Sequence, residues 1–118
     1  GAAQLRLFGY SGGGVIATLL AMSRTDVVQL VTIAAPLSVA EWTSWHQVTP
    51  MAESLDPGMQ VGSLPRAVHF VGGKDAIVPP EVVKGFAQRS GGRLRIVEDF
   101  DHQCCWSRDW RHLLEETQ

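Results

Sequence analysis

Gly9-Tyr10-Ser11-Gly12-Gly13-Gly14, written GYSGGG, is the stretch on which the reading of this chain turns. Leu5 to Phe8, just ahead of it, predicts a short strand ending at Gly9. Residues 13 to 23, GGVIATLLAMS, are apolar nearly all round and predict a buried helix. Ser11 therefore falls between a strand and a helix. The spacing G-x-S-x-G, met by Gly9, Ser11 and Gly13, sets a serine on a tight turn that brings it close to neighbouring backbone. Glycines two before and two after the serine are expected to relieve that crowding. The helix behind the turn would point its first amides at a reacting centre where an oxyanion develops. The pattern is short, and a glycine-rich turn with an ordinary serine satisfies it as well.

The same alternation continues outward from this turn. Val27 to Ala34, VVQLVTIA, is rich in β-branched residues and almost unbroken, as in a strand covered on both faces. Pro36 stops it. Ser38 to Gln47 predicts a short helix, with Ser38 and Glu41 forming a capping box. Residues 48 to 65 hold prolines and glycines and read mostly as loop. Ala67 to Val71 is the third strand, closed by Gly72-Gly73. A helix opens at Pro79-Pro80, runs to about Arg89 and ends at Ser90-Gly91-Gly92. Leu94 to Val97 is the fourth strand. Trp106 to Glu116 is the last helix, with Trp106, Trp110, Leu113 and Leu114 at core spacing. The order β-α-β-α-β-α-β-α implies an α/β fold, a parallel sheet of about four strands with helices on both faces. Sites in such sheets form at the carboxyl ends of strands. That rule selects Ser11, Pro36, Asp75 and His102.

The 118 residues suffice for one domain. A formal charge of -2 and a mean hydropathy of +0.03 describe a soluble globular composition. They give no electrostatic reason to propose nucleic acid or an anionic membrane as partner. No run is long and apolar enough to predict a membrane span. Gly9, Gly12 and Gly13 do not give dinucleotide G-x-G-x-x-G spacing, and no metal motif is present. No cofactor is expected. Cys104 and Cys105 are adjacent; bonded, they would close a small strained ring, so two partly buried free thiols are expected.

A serine hydroxyl is a weak nucleophile that needs a base, and the base needs an orienting acid. At this point the sequence resembles the α/β-hydrolase family. The resemblance rests on GYSGG at Gly9 to Gly13, on GKDAIVP at Gly73 to Pro79 and on FDH at Phe100 to His102. It covers nearly all of the chain but only the C-terminal half of the family's fold, from the elbow strand onward. The family's chain order is serine, acid, histidine; here it is Ser11, Asp75, His102. The resemblance implies that Ser11 attacks an acyl carbonyl, that His102 carries its proton and that Asp75 fixes the imidazole. It also implies that the Gly12 N–H is one oxyanion-hole donor. The implied activity is that of a serine esterase, lipase or thioesterase acting through an acyl-enzyme. Acyl transfer and cofactor-free haloperoxidase chemistry use the same triad and stay open.

Each residue also has a plainer reading. Ser11 can be a turn serine, Asp75 a turn or cap residue before a proline-rich helix start, and His102 a packed or surface histidine. Asp101 is a rival acid, though adjacent residues rarely face each other usefully. His69 reads as structural and His112 as solvated. In the resembled family a cap is often inserted where residues 37 to 65 lie, so residues 1 to 118 read as one partial domain with a short cap-like insertion. Trp42, Trp45 and Met51 could cover an acyl pocket there or simply pack, and His46 could line its entrance. Tyr10 is a further candidate substrate contact. The family places about four more strands before the elbow strand, together with the second oxyanion-hole donor. The strand Leu5 to Phe8 is thus expected to have an open apolar edge. Self-association, or pairing with an N-terminal segment, is the expected partner arrangement; an unpaired half-domain would be inactive alone.

Overall fold

The structure, a computed structural model, describes residues 4–46, 56–59 and 63–118. Strands β1 (Leu5–Tyr10), β2 (Val27–Ile33), β3 (Arg66–Gly72) and β4 (Arg93–Val97) form one parallel sheet in the order β1-β2-β3-β4. Helices α1 (Gly12–Ser23), α2 (Val39–Trp45), α3 (Pro80–Ser90) and α4 (Trp106–Glu115) connect or follow them. A short 3-10 turn spans Pro57–Met59. The register pairs Tyr10 with Ile33 and Ile33 with Phe70. The carboxyl ends of β1 and β2 are therefore level, β3 runs two residues further to Gly72, and the loops that follow leave from the same end of the sheet.

The two faces of the sheet are set by residue alternation. Val31, Ile33, Val68 and Phe70 point to the side where Trp106 and Leu113 of α4 pack. Phe70 meets the rings of Trp106 and Trp110 edge-on at 6.4 and 6.3 Å. Leu30 and Ala67 point to the other side, against Ala17 and Ala21 of α1. Val71 points the same way, towards Val83 and Phe86 of α3. Burying one such large side chain contributes about 1.5–3 kcal/mol. These central strands hold most of the core because both their faces are covered.

Three expectations are corrected. Helix α1 is not buried all round: Gly14, Ala17, Thr18 and Ala21 face the sheet, while Ile16 is 63% and Leu20 45% exposed. Small residues let this helix lie close to the strands, and its larger side chains are turned outward. The capping box does not form. The Asp56 carboxylate accepts from the Val39 and Ala40 amides at 2.7 and 2.9 Å, and Glu41 pairs with Arg89 of α3 instead. A residue from across the loop thus satisfies the first amides of α2, which a local box would otherwise do. Cys104 and Cys105 are not free thiols but a vicinal disulfide, Cys104 exposed and Cys105 half-buried. The peptide between them is cis, and their Cα atoms are 3.0 Å apart. Gln47, Met51 and the side chain of Trp45 lie outside the described residues.

Candidate active site

Ser11 occupies the turn between β1 and α1 at φ 52 and ψ -125, a conformation that few L-residues adopt. Such a backbone costs on the order of 1–3 kcal/mol and persists only where its surroundings hold it. Here the Ser11 N–H donates to Ile33 O at 2.7 Å and Ser11 O accepts from the Gly14 N–H at 2.9 Å. Of the motif's two glycines, Gly9 is used as expected and Gly13 is not. A Cβ at Gly9 would lie 2.6 Å from the carbonyl carbon of Gly13 and from Gly14 Cα, so no side chain fits there. A Cβ at Gly14 would lie 2.5 Å from the Ala35 side chain, whereas at Gly13 it would meet nothing. The close approach after the serine falls on Gly14, one position later than the motif's second glycine.

Asp75 follows β3, on a loop pressed against the chain that follows β4. Gly72 makes this possible: a Cβ there would sit 2.7 Å from the carbonyl carbon of Phe100. The Gly73 and Lys74 amides donate to Val97 O and Phe100 O, both at 2.9 Å. The Asp75 side chain is fully buried. Its Oδ1 accepts from the Ile77 and Val78 amides at 2.8 and 2.7 Å, leaving Oδ2 aimed at His102.

His102 stands between Asp75 and Ser11. Its Nδ1 is 2.9 Å from Asp75 Oδ2 and its Nε2 is 3.1 Å from Ser11 Oγ. A carboxylate can only accept, so Nδ1 carries the proton and Nε2 presents its lone pair to the serine hydroxyl. Asp101, the rival acid, is turned elsewhere: its Oδ1 accepts from the Gln103 and Cys104 amides at 2.9 and 2.6 Å. Those two amides, Cys104 first, hold the Asp101 carboxyl below its ordinary pKa. Gly12 is exposed and begins α1, and its N–H has no acceptor among the described residues. An unpaired first-turn amide beside Ser11 is available to an anion.

The remaining candidates are placed as follows. Trp42 Nε1 donates to Ile77 O at 2.7 Å, and His46 Nε2 lies 2.6 Å from the same oxygen. Each therefore holds the Asp75 loop through one ring nitrogen. Tyr10 donates its O–H to His102 O at 2.6 Å, and its ring lies 5.4 Å from the imidazole. Burial, then the charges of Asp75 and Asp101, raise the Tyr10 phenol above its ordinary pKa of 10.0. Trp106, read from sequence only as core, also donates to His102 O, at 3.2 Å. The Tyr10 tie has no linear signal, because its partners lie far apart in the chain and meet only after the sheet is built, whereas the Trp106 tie is local to the loop that leads into α4. Among the described residues no cluster of three or more His, Cys, Asp or Glu could hold a metal ion. Nor, among them, is any helix long and apolar enough to cross a membrane.

Comparison with solved structures finds the same fold elsewhere. Alpha/beta hydrolase domain-containing protein 10 from mouse superposes with a TM-score of 0.76 at 18% identity, over 98% of this chain and 61% of that one. The fold is the C-terminal half of an α/β-hydrolase. An esterase from Pyrococcus furiosus gives a TM-score of 0.75 at 13% identity, over 98% of this chain and 53% of its own. An esterase domain from Rhodothermus marinus gives 0.74 at 19% identity, over 94% and 57%. This chain thus spans between 53% and 61% of these neighbours' lengths. No protein-family model matches the sequence, and no curated protein matches it.

Proposed function

We propose that this chain carries the nucleophile, base and acid of a serine hydrolase that cleaves an ester, thioester or similar acyl bond. The observation that carries the reading is the continuous path from Ser11 Oγ through the His102 imidazole to the buried Asp75 carboxylate, at 3.1 and 2.9 Å. Esterases among the structural neighbours support the same class.

Ser11 Oγ attacks the acyl carbon while His102 Nε2 takes the hydroxyl proton. The carbonyl electron pair moves onto oxygen, and the Gly12 N–H is placed to donate to that oxyanion. The intermediate collapses, the bond to the leaving alcohol or thiol breaks, and His102 Nε2 returns the proton to it. Water then attacks the acyl-enzyme by the same route and releases the acid. Asp75 stays ionised, fixing the tautomer and offsetting the imidazolium charge. A second oxyanion donor would come from outside these residues, as the family resemblance implies. Trp42, Trp45 and His46 are the candidates to border the acyl group.

A fluorophosphonate probe should label Ser11 in the protein expressed with all of its native sequence. Labelling should vanish in Ser11→Ala and fall steeply in His102→Ala. Absence of labelling in a folded protein sinks the reading. Product analysis with water and an alternative acyl acceptor in competition would separate hydrolysis from acyl transfer. Among the described residues β1 is an edge strand, which favours a second reading, a half-domain inactive until a further strand pairs with it. Phe8 and Tyr10 on that strand are each 44% exposed. A stable monomer of these 118 residues by light scattering at micromolar concentration would count against self-pairing.

A further inference from the structure

We propose that Tyr10 is a positioning residue for His102. By donating its O–H to the His102 carbonyl, it fixes the main chain from which the imidazole is hung. The proposal rests on the serine-hydrolase reading above.

Three observations carry it. First, apart from the Ser11–His102 contact, the Tyr10–His102 bond is the one hydrogen bond between the residue 9–14 turn and the residue 98–106 loop among the described residues. The two loops come from opposite ends of the chain, so their relative placement has to be made by side chains. Second, the His102 carbonyl is held from two sides. Tyr10 reaches it from the serine turn at 2.6 Å and Trp106 from α4 at 3.2 Å. A carbonyl oxygen has two lone pairs, and these two donors use both. Third, the Tyr10 ring lies 5.4 Å from the imidazole at a 41° tilt. An aromatic face at that range favours the imidazolium that forms when His102 takes the Ser11 proton.

The position explains why this task falls to the residue just before the nucleophile. Tyr10 ends β1, so its backbone is fixed by the sheet, while Ser11 is fixed by the same turn. A bond from Tyr10 to His102 therefore sets the imidazole against the very segment that carries the attacking oxygen. Misplacement of a reacting group by about 1 Å can cost on the order of 10² in rate.

Tyr10→Phe removes the O–H and keeps the ring; Tyr10→Leu removes both. The side chain is half exposed, so both variants should fold, which circular dichroism would verify. In Tyr10→Phe, kcat and the rate of fluorophosphonate labelling should fall together by about 3- to 10-fold, with KM within about twofold. In Tyr10→Leu, kcat should fall about 2- to 5-fold further. Hydrogen exchange of the residue 101–106 amides should accelerate in both. A Tyr10→Phe protein whose kcat and exchange match the parent overturns the proposal. So does one in which only KM rises, which would mark Tyr10 as a substrate contact. An inactive, unlabelled parent would instead overturn the serine-hydrolase reading, and this role with it.

Discussion

The Asp75 carboxylate spends one oxygen on the chain and the other on His102. Oδ1 accepts from the Ile77 and Val78 amides at 2.8 and 2.7 Å, and Oδ2 faces His102 Nδ1 at 2.9 Å. The division holds the carboxylate still, so the imidazole bonded to it has one orientation and one tautomer.

Asp75→Asn separates these two duties. The amide oxygen can still accept from Ile77 and Val78, so the loop should keep its shape. The amide nitrogen can only donate, which forces the proton of His102 onto Nε2 and leaves nothing to accept from Ser11. On the proposed mechanism kcat should fall by about 10⁴-fold with KM little changed. Steady-state kinetics beside a thermal melt would check this. A variant that melts with the parent yet keeps a tenth of its kcat would contradict the assignment.

The glycines of the serine turn give a second test. Gly9→Ala drives a Cβ into the backbone of Gly13 and Gly14, which cannot move without undoing the turn. It should destabilise by about 3 kcal/mol or more. Gly13→Ala meets nothing and sits in the first turn of α1. It should be neutral, or stabilising by up to about 1 kcal/mol. Urea midpoints would decide, and equal losses at the two positions would refute this account of the turn.

Much of the site was legible because it obeys local rules. Strand patterning marked the ends at which Ser11, Asp75 and His102 sit, and the glycines around them marked close approaches. What was not legible came from contacts between distant segments. Gly14 outranks Gly13 chiefly because Ala35, beyond β2, lies against it. Tyr10 and Trp106 meet at His102 O only once the first strand and last helix flank the same loop.

Helix α2 offers a prediction on the same theme. Its first amides are held by Asp56, which also accepts from the Gly58 amide at 3.0 Å. Asp56→Ala should cost about 1–2 kcal/mol by leaving those donors unpaired. Glu41, about half exposed and paired with Arg89 at 3.2 Å, should cost under about 1 kcal/mol when replaced by alanine. A local capping box would reverse that order, and chemical denaturation of the two variants would show it.

His69 should weaken the fold in acid. It is fully buried in β3, hydrogen-bonded through Nδ1 to Thr32 at 2.8 Å, with Nε2 unpartnered. Phe86 packs edge-on at 5.7 Å. Nothing charged is bonded to the ring, so burial alone lowers its pKa from 6.5 to about 4. Above pH 6.5 the ring is neutral folded or unfolded, and His69 adds no pH dependence to stability. As pH falls from 6.5 towards about 4, the unfolded chain takes up a proton that the folded chain refuses, so stability drops. At roughly 1.4 kcal/mol per pH unit the loss levels off near about 3 kcal/mol. His69→Gln keeps a hydrogen-bonding group for Thr32 but does not titrate. Its unfolding free energy should lose about 3 kcal/mol less than the parent's between pH 7 and 4. Parallel slopes for the two proteins across that window would remove His69 as the cause.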